Sequence, residues 1–344
     1  MRLDDFNFEL PSRLIARYPL ASRSASRLLI VDPAEGGLSH KHFNDVVDLI
    51  HPGDLLVFND TKVIPARLMG HKTTGGQVEV LVERILDERR MLAQLRVSKA
   101  PKMGDGLHFF PDICLEVRDR QNQFYELQYN GCDRTILEVI ESVGQIPLPP
   151  YLHRLPDESD KTRYQTVYAR HKGSVAAPTA GFHFDQELLE KLCAKQVKMG
   201  YLTLHIGAGT FQPVRAQDIR QHQMHAEYLD VPAALCEQIA AVRARGNRVI
   251  AVGTTSMRAL ETACQSGQMA PYQGETSIFI YPGYPFRCAD AMITNLHLPC
   301  SSLLMLVGAF GGHQTVMQAY REAVAQGYRF YSYGDAMWIV SHSR

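Results

Sequence analysis

The pattern of apolar and polar positions divides the chain into two kinds of sequence. Between residues 70 and 129, short stretches alternate apolar and polar side chains, as in QVEVLVERIL (77–86) and QFYELQYN (123–130). Glycine- and asparagine-rich turns separate these stretches. Evenly spaced short strands of this kind are typical of a small antiparallel β-barrel or sandwich. A helix is predicted to follow them, over residues 134–143.

Beyond a proline-rich extended linker, IPLPPYLHRLP (146–156), apolar strands alternate with helices. The strand NRVIAVG (247–253) leads into a helix, as does the strand AMITN (291–295). The segment SIFIY (277–281) is predicted as a further strand. This alternation indicates an α/β domain with a mainly parallel sheet.

The two patterns together predict the domain organisation. At 344 residues the chain is long for a single core, so two domains are expected. We predict an α/β fold with a discontinuous α/β main domain, residues 1–67 plus 146–344. A small antiparallel β-barrel domain, residues 68–145, is inserted into it.

Composition narrows the class of protein. A hydrophobic fraction of 45% and a charged fraction of 21% are those of an ordinary globular protein. The longest apolar run, residues 303–310, is far shorter than the roughly 18 residues of a membrane span, and the N-terminus lacks a secretion signal. Seven scattered cysteines without a C-x-x-C pair indicate reduced thiols. We therefore expect a cytoplasmic protein without a membrane partner.

Charge gives no overall sign of a nucleic-acid partner, because 36 basic residues balance 36 acidic ones. Two local clusters could still form a basic face. Their members are Arg13, Arg17, Arg23 and Arg27 in the first, and Lys161, Arg163, Arg170 and Lys172 in the second. Ordinary solvated charge explains these clusters as well, so both interpretations stay open.

Polar residues gather where three predicted strands end. The motif HIGAGTF (205–211) contains Gly207 and Gly209 but not the third glycine of a dinucleotide-binding loop. It fits either a ligand-binding loop or a tight turn. His205 precedes the two glycines, and a hydrogen-bonded structural role is its simpler explanation. Asn295 and His297 follow the strand 291–295. Ligands of open α/β sheets bind at the carboxyl ends of strands, so we expect these groups to converge.

The third strand end, GTTSMRALE (253–261), is the strongest of these signals. Thr254 and Thr255 stand where a helix begins, beside unpaired backbone N–H groups that suit a carboxylate or phosphate. Arg258 in the first turn opposes the helix dipole, which indicates a ligand or a buried acid such as Glu261. Plain capping by a threonine is the alternative.

Two further motifs are less decisive. His222 and His225 have a spacing that a metal could use, but no third ligand lies near them, so no metal site is expected. NDTKVIPAR places Asp60, Lys62 and Arg67 at the crossing between the predicted domains. Their spacing fits either a functional site or a salt-bridged hinge.

Long motifs add a resemblance. In order along essentially the whole chain stand NDTKVIPARL, GQVEVLVE, IPLPPY, TLHIGAGTFQPV, GTTSMRALE, ITNLHLP and YRFYSYGDAM. With these motifs the chain resembles the S-adenosylmethionine:tRNA ribosyltransferase-isomerases of the queuosine pathway. Cys300 and Gly308 depart from the expected pattern, and neither position is assigned to catalysis.

The resemblance implies that S-adenosylmethionine is a co-substrate that donates its ribosyl group. The acceptor would be 7-aminomethyl-7-deazaguanine at the wobble position of a tRNA with a GUN anticodon. The ribosyl group would rearrange to give epoxyqueuosine, with adenine and methionine released. The resemblance thus implies a transferase and isomerase that needs no metal and is expected to be a monomer.

This chemistry suggests roles for the catalytic candidates. The sulfonium acidifies the C5′ hydrogens, so a positioned base is required. His183 and His205 are candidates for that base, with the substrate amine as a competitor. His297 or Asp60 would protonate the departing adenine.

Binding roles follow in the same way. The carboxylate of methionine fits the helix start at Thr254 and Thr255, with Arg258. The sulfonium suits an aromatic ring. The rings considered are Tyr168, Phe182, Phe211 and Tyr331, and the loop that would contact the cofactor holds Gly207, Gly209 and Thr210. The residues expected to bind the tRNA and its base are Arg13, Arg17, Lys62, Arg67 and Asn295.

Two other functions fit the same sequence. One is an S-adenosylmethionine-dependent tRNA methyltransferase, which would release S-adenosylhomocysteine instead of adenine. The other is a non-catalytic tRNA-binding protein, which would bind without turnover. That second function leaves the helix start at residues 254–258 unexplained.

Overall fold

The computed structural model describes residues 1–32, 37–211 and 214–342. The strands in chain order are β1 (Arg27–Asp32), β2 (Gly37–His42), β3 (Leu55–Asn59), β4 (Thr61–Val63), β5 (Arg67–Lys72), β6 (Gln77–Ile85), β7 (Arg90–Val97), β8 (Gly106–Phe109), β9 (Ile113–Gln121), β10 (Phe124–Tyr129), β11 (Gly144–Gln145), β12 (His171–Ser174), β13 (Lys198–Leu204), β14 (Glu227–Val231), β15 (Val249–Val252), β16 (Tyr272–Thr276), β17 (Ala291–Asn295) and β18 (Ala336–Val340). The α-helices are α1 (Val46–Leu49), α2 (Ile136–Val143), α3 (Asp160–Arg163), α4 (Gln186–Ala194), α5 (Ala233–Ala244), α6 (Thr254–Ala263), α7 (Ser302–Gly311) and α8 (His313–Ala325).

The larger sheet has nine strands in the order β16-β14-β13-β3-β15-β17-β18-β1-β2. Its centre, β13-β3-β15-β17, is parallel, and antiparallel pairs flank it on both sides. The central strand β15 is apolar and buried at every position because helices cover both faces of the sheet. Helices α5 to α8 pack on one face, and α1 and α4 pack on the other.

The smaller sheet is a closed antiparallel barrel. Six strands follow one another in the order β5-β6-β7-β10-β9-β8, and pairing of β8 with β5 closes the ring. The alternating apolar side chains fill its interior, and α2 packs Ile136, Val139 and Ile140 against that core. The helix begins with a capping box in which Thr135 and Glu138 satisfy each other's backbone N–H groups. The predicted α/β fold with an inserted β-barrel is confirmed.

The two ends of the inserted barrel segment lie next to each other. It begins at β5 and returns at β11, where Gln145 pairs with Arg67. The inserted segment therefore begins and ends at almost the same place. The domain boundaries at residues 67/68 and 145/146 remain a prediction.

One local prediction is wrong. SIFIY (277–281) is not a strand, because β16 ends at Thr276 and the apolar side chains that follow pack against the main core. The sulfur atoms of Cys264 and Cys288, which are 24 residues apart in sequence, lie next to each other. The expectation of reduced thiols stays a prediction.

Within the described ranges, no helix is long and apolar enough to cross a membrane. The same residues contain no group of three or more His, Cys, Asp or Glu side chains placed to hold a metal ion. His225 instead packs against Gly209 and the ring of Phe124, while the ring of His222 contacts Phe279.

Candidate functional site

One segment, residues 171–183, runs across the carboxyl edge of the parallel strands. It starts as β12, which pairs with β4, and it ends as a short 3₁₀ helix, Thr179–His183. Its Val175 N–H donates to Ile206 O at 2.8 Å, beyond the end of β13. Thr179 Oγ1 donates to Asn295 Oδ1 at 3.3 Å, at the end of β17. This segment therefore connects strand ends that are far apart in sequence.

Small residues let the segment lie close to the sheet. Gly253 has φ = +94°, and a side chain there would contact the Ala180 methyl group at 3.5 Å. Gly173 (φ = +150°) lies directly against the ring of His205. A larger side chain at either position would be strained or would push the segment away from the strand ends.

His183 is buried, and both of its ring nitrogens have partners. Nδ1 lies 2.6 Å from Ser26 Oγ, and Nε2 lies 3.2 Å from Asn295 Nδ2. Because Asn295 Nδ2 also donates to Tyr331 O at 3.0 Å, it is the amide nitrogen that faces the ring. His183 Nε2 therefore accepts, and Nδ1–H donates to Ser26.

This environment keeps His183 uncharged. Burial, with a contribution from the Arg23 guanidinium, lowers its pKa to about 3. A cavity of only about 20 Å³ lies beside the ring, bordered by Arg23 and Phe182. The assignment of His183 as a base stays a prediction, and this geometry favours a role in holding Asn295 and Tyr331 in place.

Tyr331 is held in an unusual backbone conformation next to this cluster. Its φ of +76° is rare for a bulky side chain. Its N–H donates to Leu296 O at 2.9 Å, and its ring lies 3.8 Å from that of Tyr151. Its hydroxyl is buried without a hydrogen-bond partner in the described parts of the chain. Phe182 is also engaged, because its ring stacks on Tyr333 at 5.9 Å.

A second polar group follows β3. Asp60 accepts a hydrogen bond from Thr203 Oγ1 at 2.7 Å, and its other oxygen lies 3.7 Å from His171 Nε2. Burial raises the pKa of Asp60. The next residue, Thr61, places its hydroxyl 2.7 Å from His205 Nδ1. Asp60 and His205, both sequence candidates, are therefore neighbours at this edge.

A cleft of about 710 Å³ lies between the barrel and this edge of the main sheet. Its lining includes Glu83, Arg84, Lys172, His205, Gly207 and Glu227. Tyr228 also borders it, and its ring stacks on His205 at 5.6 Å. Burial, together with the nearby His171, lowers the pKa of His205 to about 4. His205 is therefore an uncharged imidazole in the cleft wall at neutral pH.

Glu83 is the residue that the sequence analysis missed. It lies on β6, where a register shift between Val82 and Arg84 indicates a β-bulge. The bulge breaks the alternation, so that Val82 and Glu83 are both buried although they are consecutive. Glu83 is only 8% exposed, and it points from the barrel toward Gly207 of the main domain. No sequence pattern predicts such a bulge, so the strand pattern alone could not find this residue.

Gly207 allows that approach. A Cβ atom at this position would lie 2.3 Å from Glu83 Oε1, so any other residue here would displace the Glu83 carboxyl group from its present position. The Ala208 backbone N–H donates to the same carboxyl group. Burial, opposed by that hydrogen bond and assisted by the Glu227 carboxylate, raises the pKa of Glu83 to about 7.

Arg258 forms an ion pair with Glu227, both buried, so Glu261 is not its partner. Glu261 instead accepts from the backbone N–H groups of Arg287 and Cys288, at 3.0 and 2.9 Å. The sequence could not distinguish the two acids, because the true partner lies 31 residues away. Among the described residues, Arg258 Nη2 has no hydrogen-bond partner.

The start of α6 also differs from the expected threonine cap. The N-cap residue is Gly253, without a side-chain cap, and Thr254 is the first helical residue. Ser256 Oγ donates to Val252 O at 2.8 Å, while Thr255 Oγ1 is buried without a partner in the described ranges. The binding of a carboxylate by Thr254, Thr255 and Arg258 stays a prediction.

His297 lies apart from the other histidines. Its Nε2 is 2.8 Å from Thr294 Oγ1, and Tyr320 Oη accepts from its backbone N–H at 3.0 Å. Thr294 and Asn295 point to opposite faces of β17, so His297 is on the α8 side and His183 on the other. Burial lowers the pKa of His297 to about 3. The structure does not bring it to the cleft.

The remaining candidates have varied surroundings. Arg13 and Arg17 are exposed, and the Lys62 ammonium has no partner among the residues described. Arg67 pairs with Glu79 on the neighbouring barrel strand at 2.6 Å, so this ion pair lies within the barrel sheet. Thr210 is exposed beside the cleft loop. The side chain of Phe211 lies outside the described residues.

Comparison with known proteins settles the family. The family model described as "Queuosine biosynthesis protein" matches residues 3–339. The chain belongs to this family. A crystal structure of S-adenosylmethionine tRNA ribosyltransferase from Thermotoga maritima is 33% identical, covers 98% of this chain and 100% of its own, and superposes with a TM-score of 0.55. The resemblance seen in the sequence motifs is therefore confirmed.

Proposed function

We propose that this queuosine biosynthesis protein is a transferase that moves the ribosyl group of S-adenosylmethionine to tRNA and isomerises it. The acceptor is the 7-aminomethyl-7-deazaguanine of a GUN anticodon, and the products are epoxyqueuosine-tRNA, adenine and methionine. Family membership and the similarity to the Thermotoga maritima ribosyltransferase support the class of reaction.

The observation that carries the proposal is the cleft between the barrel and the main sheet. Its volume of about 710 Å³ lies in the range of small-molecule sites. The carboxyl groups of Glu83 and Glu227 border it. Both co-substrates carry positive charge there, as a sulfonium and as a primary ammonium, and acidic walls attract such groups.

Within the cleft, His205 and Tyr228 have the clearest roles. The ring of Tyr228 offers an aromatic face to the sulfonium. His205 is uncharged and is held by Thr61 through Nδ1, so that Nε2 is the nitrogen left to receive a proton from C5′. Its low pKa makes it a weak base, so the acidity given by the sulfonium is essential.

The test uses purified protein, S-adenosylmethionine and a GUN-anticodon tRNA carrying the aminomethyl base. We expect one free adenine and one methionine for each modified tRNA, measured by liquid chromatography. The same tRNA with unmodified guanine is the control and should give neither product. Release of S-adenosylhomocysteine would show a methyltransferase instead, and tight tRNA binding without any product would show a binding protein.

A further inference from the structure

The position of Glu83 differs from that of the other carboxylates in the described residues of the barrel. This residue is brought out of the strand alternation by a bulge, and it crosses the domain boundary to reach the loop of Gly207 and Ala208. Its Oε2 is buried, and the side chain of Gln94 on the adjacent strand lies beside the carboxyl group as a neutral hydrogen-bond donor. Ionisation of a carboxyl group buried in this way beside a cleft is costly unless a cation binds to it.

The charges around this carboxyl group define what it can bind. Glu227 lies close enough to disfavour its ionisation, and the charge of Glu227 is already offset by Arg258. Arg84 on the same strand pairs with Glu275, and its charge favours the ionisation of Glu83 less strongly than burial opposes it. The other titratable groups of the cleft lining are Asp87, Glu88, Lys172, His205 and Tyr228, and Lys172 pairs with Glu141 at 2.6 Å. The arginine and lysine described in this lining are thus paired with other carboxylates, so Glu83 can still bind an incoming cation.

The acceptor of the proposed reaction carries one such cation. The aminomethyl group of the acceptor base is a primary amine, which is an ammonium at neutral pH, as the lysine side chain is. An ammonium has no lone pair, so its nitrogen must lose a proton before it can form a bond to carbon. His205 and His183 are weaker bases than Glu83, because burial lowers their pKa values well below that of Glu83.

We propose that Glu83 is the group that takes this proton from the substrate amine. In the step, the ammonium and the Glu83 carboxylate give a neutral amine and a protonated carboxyl group. The nitrogen keeps the electron pair of the N–H bond and becomes the nucleophile. This inference rests on the proposed function, and it gives the inserted barrel a chemical role in the reaction.

The kinetic test compares Glu83→Gln with wild type in the full-length protein, across pH 5.5 to 9. We expect kcat for adenine release with aminomethyl-tRNA to fall at least about 100-fold, the usual scale for a lost proton-transfer group. KM for S-adenosylmethionine should change less than about threefold. The rise of the wild-type kcat/KM for aminomethyl-tRNA with pH around neutrality should be absent from Glu83→Gln and present, but displaced, in Glu83→Asp.

Glu116→Gln is the matched control, because Glu116 is another barrel carboxylate, bound to Arg118 and Asn130 away from the cleft. It should keep wild-type kinetics. Retention of kcat within threefold by Glu83→Gln would overturn the inference. So would a loss confined to the KM of S-adenosylmethionine, since the carboxylate would then bind the sulfonium.

A second measurement does not depend on turnover. The carboxyl band of Glu83 is followed by infrared difference spectroscopy against Glu83→Gln, with and without an anticodon stem-loop. A stem-loop with the aminomethyl base should lower the proton affinity of Glu83 at least tenfold, and one with guanine should not. An unchanged titration would refute the inference even if the enzyme releases adenine. If wild type releases no adenine, the proposed function fails, while this titration still reports whether Glu83 meets the amine.

Discussion

The cluster around His183 and the cleft around Glu83 differ in the space that they leave for a ligand. In the first, histidine, serine and asparagine side chains are buried and bonded to each other beside a cavity of about 20 Å³, although the neighbouring Tyr331 hydroxyl has no partner among the described residues. In the second, a buried carboxyl group with a raised pKa lies beside a space of about 710 Å³. A concentration of chemically versatile residues can therefore form a structural network, while a buried acid beside an open cleft marks a place for a ligand.

The largest effect should come from adding a side chain at Gly207, where the two domains touch. Gly207→Ala places a methyl group where Glu83 Oε1 now lies, so the carboxyl group or the loop must move. We expect adenine release to fall at least about 100-fold, since misplacing a reacting group by about 1 Å can cost that much. The measurement is the single-turnover rate with aminomethyl-tRNA.

Gly37→Ala is the control for that variant, because nothing lies within 4 Å of the methyl group it would add and its φ is not in the left-handed region. It should keep full activity. If Gly207→Ala were equally active, the contact between Glu83 and the Gly207 loop would have no part in the reaction.

The next effect concerns stability and has a defined sign. The folded protein holds a proton on Glu83 up to a pKa of about 7, whereas an unfolded glutamate releases it near 4.5. Stability contributed by this group is therefore present below about pH 4.5 and is lost as pH rises to 7. Glu83→Gln cannot ionise, so it should exceed wild type at pH 8 by up to about 3 kcal/mol, yet match it at pH 4.5.

Urea unfolding at both pH values measures this difference. Equal stability of the two proteins at pH 8 would mean that Glu83 ionises without cost. In that case the carboxyl group would need no ligand to offset its charge, and the contrast between the two regions would disappear.

A smaller loss is expected from His183→Ala. Removal of the ring leaves the Ser26 hydroxyl and the Asn295 amide without their partner, which should lower the free energy of unfolding by about 2 kcal/mol. At 20 °C, where the variant is still folded, adenine release should fall less than tenfold. A much larger loss of kcat with unchanged stability would restore His183 as a catalytic base.

The smallest effects should arise outside both regions. Arg13→Ala and Arg17→Ala remove exposed guanidinium groups that we expect to contact phosphates. Each should weaken tRNA binding only a few-fold and reduce its dependence on salt, with kcat unchanged. Titrations at several salt concentrations test this, and an unaltered salt dependence would place the tRNA elsewhere.

The fold could be predicted because its signals are local. The apolar run at residues 249–252 and the alternation in residues 77–82 each reflect burial that neighbouring residues share. SIFIY had the same local signal and was assigned wrongly, since packing against the core can bury an extended segment outside a sheet. Local patterns thus predict burial more reliably than hydrogen bonding.

The site was harder to predict because its contacts are distant in sequence. Arg258 pairs with Glu227 rather than with the nearer Glu261, and Glu83 reaches its place only through a bulge. His183 and Asn295 were both selected from sequence and do lie together, yet their satisfied hydrogen bonds were not foreseeable. Which partner a polar group finds depends on the assembled fold.

The meeting of Gln145 with Arg67 bears on how separable the inserted barrel is. A short peptide could replace the insertion without stretching the chain, so a reduced protein with an intact main sheet could be made. Such a protein would lose Glu83 and one wall of the cleft. The barrel could thus be deleted while the main sheet is kept, but the deletion would remove part of the cleft. This limits how freely the two parts could be exchanged in evolution or by design.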